Sequence, residues 1–308
     1  MPLSQAVTEA IYTAYNVDQP MEATLKGAYT LLCYGYVDNA RQTVERLKEE
    51  DPFDKRVIRL ERSCERARIY DKDSLERLNG AHDVSVDGLA APIEVRPPTD
   101  VMIVRAGQVK QALIAFGGAS EAFWLTPEFL EMSNCHLVVL RDARRLFHLA
   151  GVEGLGADYE ECVEGLKTIV ADLGATKVFM IGSSSGGYAA LRYALDFAGV
   201  RGVLAISPMT GHPDIAEEAP KHPGFRPLLR TKPEMLVDLL PLYEQHPNPP
   251  KVTLVWGEKH AADNEQATRM GALPNVTLEP LHGVSHHPVL VKLITRPDFD
   301  LVKRLLAT

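Results

Sequence analysis

No stretch of this 308-residue chain is long and apolar enough to read as a membrane span. Basic charge is not in excess either: 33 Lys and Arg stand against 41 Asp and Glu, a formal charge of -8. A surface built to grip phosphates needs clustered cations, so nucleic acid is not expected as a partner. Cysteine is scarce, and Cys33, Cys64, Cys135 and Cys162 are widely spaced with no C-x-x-C pair. This argues against a disulfide framework or a zinc cage and for reduced, mostly buried thiols. The opening MPLSQAVTEAIYTAYN carries neither a basic leader nor a cleavage signature, so a cytoplasmic location is expected. No G-x-G-x-x-G spacing and no Walker pattern appears, and the acidic residues are scattered rather than paired for two metals. The expected partner is therefore a small-molecule substrate, with no cofactor and no metal.

What is present is an ordinary globular composition, 45% hydrophobic and 24% charged, enough for one large core or two domains. The first 80 or so residues read as helices at 5–15, 21–32, 39–49 and 54–70, joined by the short breaks NVDQP, GYVD and DPFD. Short breaks imply antiparallel neighbours. From Met21 the pattern Ala28, Ala40, Val44, Leu47, then Pro52, resembles a tetratricopeptide repeat, in which small residues let paired helices approach and proline closes the second. About one repeat is legible, so a small helical-hairpin domain over 1–80 is expected, followed by a second domain over 81–308. A homo-oligomer or protein-partner contact is the role expected of the helical domain, beside the plainer one of covering the rest. The Gly-, Pro- and Asp-rich stretch 71–100 reads as a linker or edge-strand passage.

From Val101 onward strands and helices alternate. Apolar, β-branched runs at 101–104, 112–116, 137–140, 178–181, 203–206, 252–256 and 276–278 read as strands. Helical patterns lie between most of them, at 127–132, 159–173, 185–197 and 263–271. This alternation predicts an α/β fold with a mostly parallel sheet covered on both faces by helices.

The strongest chemical signal is Gly182-Ser183-Ser184-Ser185-Gly186-Gly187, set between the buried strand pattern and a helix pattern. Of the three serines, Ser184 alone has glycine two residues away on both sides, which makes it the candidate nucleophile over Ser183 and Ser185. At the start of a helix its oxygen would meet backbone N–H groups that favour negative charge. The plainer reading is a small-residue loop that caps a helix.

With this motif in its strand-turn-helix setting, residues from about 83 to 307 resemble the α/β-hydrolase superfamily. The resemblance implies a serine nucleophile after the fifth strand, an acid after a later strand and a histidine after the last one. Ser184, Asp263 and His286 occur in that order. His286 matches the family's glycine, two residues, histidine pattern counted from Gly283; His287, before Pro288, reads as a helix-start or supporting residue and is the second candidate for the base, and His282 lacks the pattern. The acid departs from the family pattern, because position 260, where aspartate is usual, holds His260. Asp263 is the next carboxylate on that loop, although its spacing from Gln266 also fits a helix capping box. Glu258 and Asp214 are further candidates.

Acyl transfer also needs oxyanion donors. The resemblance assigns one to the loop Phe116-Gly117-Gly118-Ala119-Ser120, at Gly118 or Ala119, and the other to Ser185 N–H. The tract LRDARRLFHLAGVEGLG follows another strand; there Arg141, Arg144 and Arg145 would recognise a substrate carboxylate, with Phe147 and His148 as a wall, unless the arginines pair with surface acids. The function expected is a serine hydrolase, esterase-like, acting on a small ester, thioester or amide. The alternative is a non-enzymatic binding or scaffold protein on a hydrolase fold.

Overall fold

A computed structural model describes residues 5–16, 18–33, 36–67, 93–96, 100–118, 135–142, 146–211, 235–287, 289–290, 293 and 300–307. The helical grammar of the N-terminal region becomes α1 (Gln5–Tyr15), α2 (Met21–Cys33), α3 (Val37–Glu50) and α4 (Lys55–Ala67). Each packs on the next. Ala28, Ala40, Val44 and Leu47 are all buried, as their spacing on the inner faces of α2 and α3 requires. At Gly27 the first two helices approach closely: a Cβ there would lie 2.9 Å from Ala14 N and 3.0 Å from Ala10 O.

The remainder builds one eight-stranded sheet, with strands β1 (Ile93–Arg96), β2 (Val101–Val104), β3 (Gln111–Phe116), β4 (His136–Leu140), β5 (Lys177–Ser183), β6 (Val200–Ile206), β7 (Lys251–Gly257) and β8 (Val276–Leu281). Their order is β1-β2-β4-β3-β5-β6-β7-β8; the pairs β1–β2 and β2–β4 are antiparallel and all other neighbours pair parallel. This is the mostly parallel α/β sheet that the alternation predicts. The passage before Val101 supplies the edge strand β1. The central strands are buried along almost their whole length, which is why they read as unbroken apolar runs rather than as alternation. Helices α5 (Tyr159–Asp172), α6 (Ser185–Asp196), α7 (Leu239–Gln245), α8 (Ala261–Thr268) and α9 (Leu301–Leu306) follow in chain order. The helix expected over 127–132 lies outside the described residues.

Two compact units result. One contains α1 to α4; the other spans His82–Ser120, Ser133–Val289 and Leu301–Thr308 and contains the sheet. In the sheet the last residues of neighbouring strands align, Ser183 with Ile206 and Gly257 with Leu281. The loops that leave β5, β6, β7 and β8 are therefore brought to one end, where functional groups of parallel sheets collect.

Candidate active site

The turn from β5 into α6 is as tight as the glycines suggest. A Cβ at Gly182 would collide with Gly186 O, and one at Gly186 with Phe116 O, so neither position admits a side chain without moving backbone. Between them Ser184 holds φ 54 and ψ -118, a conformation that costs a non-glycine residue about 1–3 kcal/mol. It is kept there by Ser184 N–H donating to Ile206 O at 2.8 Å and by Tyr188 N–H donating back to Ser184 O at 3.2 Å. Ser183 and Ser185 are buried, whereas Ser184 is partly exposed. Among the three serines, Ser184 is thus the accessible one.

Ser184 Oγ lies 2.8 Å from His287 Nε2, and His287 Nδ1 lies 2.8 and 3.0 Å from the two carboxylate oxygens of Asp263. A carboxylate can only accept, so Nδ1 carries the proton and Nε2 presents its lone pair to the serine hydroxyl. That tautomer is the one able to take a proton from Ser184.

The histidine assignment from glycine spacing requires correction: His287 bridges the serine and the acid, not His286. After β8 the chain turns at His282 and Gly283 and then passes over Gly257, whose Cβ position lies within about 3 Å of both Val284 O and His286 O. Lys259 N–H donates to Val284 O at 2.8 Å, and Ser207 Oγ–H donates to His287 O at 2.8 Å. These anchors set the register, and the ring they turn toward Ser184 is that of His287. Ser207 was not singled out by sequence; its only signal is its place directly after β6, beside the nucleophile turn, and it too holds a positive φ, 43.

Asp263 sits in the first turn of α8 and is 5% exposed. It is not the helix cap that its spacing from Gln266 suggested. His260 is the cap, its Nδ1 accepting from Asp263 N–H at 3.3 Å, while the Gln266 amide oxygen accepts from Thr210 N–H at 2.8 Å. The helix is tied to β7 by His260 N–H on Gly257 O at 2.9 Å and by Trp256 Nε1–H on Asn264 Oδ1 at 3.1 Å. Glu258 is occupied elsewhere: Gly283 N–H and His282 hold its carboxyl below the usual carboxylate range. Asp214 lies outside the described residues.

On the other side of Ser184, Gly117 N–H donates to Leu140 O at 2.9 Å, and Gly118, the expected donor, follows it and is buried. Ser185, the second expected donor, is the first residue of α6. Ala119 is outside the described residues. Phe147 and His148 are not an open wall. Both are buried in left-handed backbone, φ 60 and 58, with Phe147 edge-on to Tyr188 and His148 edge-on to Phe116. His148 Nε2 is 2.9 Å from Gly117 O, so this ring holds the loop that carries Gly118. Arg141 has its carboxylate within the protein: Nε and Nη2 both reach Asp100 Oδ1 at 2.8 Å. Arg144 and Arg145 lie outside the described residues.

The sequence profile of the alpha/beta hydrolase family matches residues 115–304, which include every residue of this site. No curated protein matches the chain. Among solved structures it is similar to carboxyl esterase 2 from the mycorrhizal fungus Tuber melanosporum, at 14% identity over 74% of this chain and 87% of that one, with a TM-score of 0.50. It is also similar to an esterase from Pyrobaculum calidifontis, at 15% identity over 73% and 82% with a TM-score of 0.49. A third is MenH from S. aureus, at 14% over 68% and 97% with a TM-score of 0.49. At such identities the likeness concerns the fold.

Proposed function

Because the chain belongs to the alpha/beta hydrolase family, we propose that it is a serine hydrolase of esterase type, acting on a small ester, thioester or amide. The observation that carries this reading is the continuous hydrogen-bonded path from Ser184 Oγ through His287 to a buried Asp263, built on a strained turn. Ser184 Oγ attacks the substrate carbonyl carbon while its proton passes to His287 Nε2, and Asp263 stabilises the imidazolium that forms. Negative charge gathers on the carbonyl oxygen, facing the N–H groups of Gly118 and Ser185. Collapse of this intermediate breaks the bond to the leaving group, which takes the proton from His287, and leaves an acyl group on Ser184. Water, losing a proton to His287, then attacks the acyl carbon; the bond to Ser184 Oγ breaks, Oγ takes that proton back from His287, and the acid is released.

The alternative of a non-enzymatic scaffold rests on the helical prefix and on histidine at position 260. The hydrogen bond from His287 to Asp263, three residues further on, weighs against the second of these grounds. The test is covalent labelling with a small fluorophosphonate, followed by peptide mapping. The expected adduct is on Ser184, with turnover of a short-chain p-nitrophenyl ester that Ser184→Ala abolishes. An unlabelled protein, or ester turnover equal in the parent and in Ser184→Ala, rejects the reading.

A further inference from the structure

The residue that breaks the family pattern lies against the acid. His260 Nδ1 is 3.1 Å from Asp263 Oδ1, and the His260 and His287 rings stand 5.7 Å apart. One ligating atom from each of His260, Asp263 and His287 falls within 4.8 Å of the others. The single lone pair of His260 Nδ1 accepts from Asp263 N–H at 3.3 Å, with Asp263 Oδ1 3.1 Å away; a cation held between Nδ1 and that oxygen takes the lone pair in place of the helix N–H. A tetrahedral zinc ion with bonds of about 2.0–2.1 Å holds its ligand atoms roughly 3.3 Å apart, against 3.1 Å from His260 Nδ1 and 2.8 Å from His287 Nδ1 to the shared Asp263 Oδ1.

We propose that His260, Asp263 and His287 form a binding site for a divalent transition-metal ion of the zinc class, overlapping the hydrolase machinery and switching it off reversibly. Two imidazoles and one carboxylate suit zinc, copper or nickel, whereas magnesium and calcium prefer oxygen cages. Access is open, because the side chains of His260 and His287 are 31% and 42% exposed while Asp263 forms the buried floor. A water molecule completes the coordination.

The inhibition follows from the tautomer. The metal takes the lone pair of His287 Nδ1, so the proton that Nδ1 donates to Asp263 moves to Nε2. There it donates to Ser184 Oγ. No proton is lost, but Nε2 no longer has a lone pair for the serine proton, and Asp263 is held by the metal instead of by the base. The metal-bound form is therefore unable to activate Ser184. This consequence rests on the serine-hydrolase reading, whereas the binding itself does not.

The test uses the full chain with zinc chloride as the probe, by isothermal calorimetry in a buffer free of chelators, with magnesium and calcium chloride in parallel. His260→Asn keeps an acceptor at the helix cap; His260→Phe serves as a second variant that fills the space without ligating. The expected result is zinc binding by the parent, none with magnesium or calcium, and affinity weakened on the order of 10-fold or more in both variants. Ester turnover falls with zinc, returns on addition of EDTA, and in each variant, measured against its own metal-free rate, needs correspondingly more zinc. Absence of zinc heat, equal affinity with and without His260, or zinc bound with turnover unchanged overturns the proposal. If no ester is turned over at all, the hydrolase reading fails separately, and the isotherms still decide the metal site.

Discussion

His287 meets Asp263 through one ring nitrogen and Ser184 through the other, so its loss interrupts the proton path at both ends. His287→Ala is expected to lower ester turnover by roughly 10^4-fold or more, and Asp263→Asn by about as much, because an amide no longer fixes the proton on Nδ1. His286→Ala is expected to stay within a few-fold of the parent. Steady-state rates on one ester, with circular dichroism to establish folding, compare all three; a collapse in His286→Ala would reverse the assignment. Ser184 was legible because a nucleophile turn imposes glycines on both sides, a constraint written into adjacent positions. Asp263 was legible as a carboxylate on the right loop, but its burial depends on how α8 docks on β7. The histidine was off by one residue because its register is set by Ser207, Gly257 and Lys259, contacts distant in sequence that no local spacing encodes.

Elements place these side chains, and their centres were easier to read than their ends. The buried runs of β3 to β7 are long and apolar enough to declare themselves, whereas α8 starts at Ala261, before the point its pattern suggests, because a histidine caps it. Phe147 and His148 read as a pocket wall from sequence, and nothing there signalled their left-handed backbone, where glycine is the residue expected. A further histidine ties β4 to the loop after β2: His136 Nδ1 accepts from Ala106 N–H at 3.1 Å, and Nε2–H donates to Val109 O at 3.2 Å. Burial pushes its imidazole below the ordinary 6.5, with the Arg105 and Lys110 charges adding, against the bond to Val109 O that favours the proton. The unfolded chain then binds the proton first as pH falls. The stabilisation is whole above 6.5 and is lost progressively between 6.5 and the lower folded value. His136→Asn, which keeps an acceptor but does not titrate, should therefore narrow the difference in melting temperature between about pH 7.5 and pH 5.5. An equal or wider difference would show that His136 does not carry this dependence.

At the scale of the whole molecule, Gly118, His148, Ser184, Ser185, Ser207, His260, Asp263 and His287 all belong to the unit that contains the sheet, and none to the unit of α1 to α4. The change in grammar near residue 80 made two kinds of structure legible, since helical periodicity and alternating strands cannot be mistaken over such lengths. A partner for the helices was not legible, because mixed charge on short helices selects none. The division makes a separable prediction. Gly27→Ala would bring a methyl group to 2.9 Å from Ala14 N and 3.0 Å from Ala10 O, and forced contacts of this kind cost about 1–3 kcal/mol. Differential scanning calorimetry should show the transition of the helical unit moving to lower temperature. Fluorophosphonate labelling at Ser184 should keep its rate to within a factor of about two, because the barrier is set by groups in the other unit. A labelling rate that falls with the stability of the helices would instead mean that α1 to α4 help to hold the site, and the helical unit would then have a part in turnover.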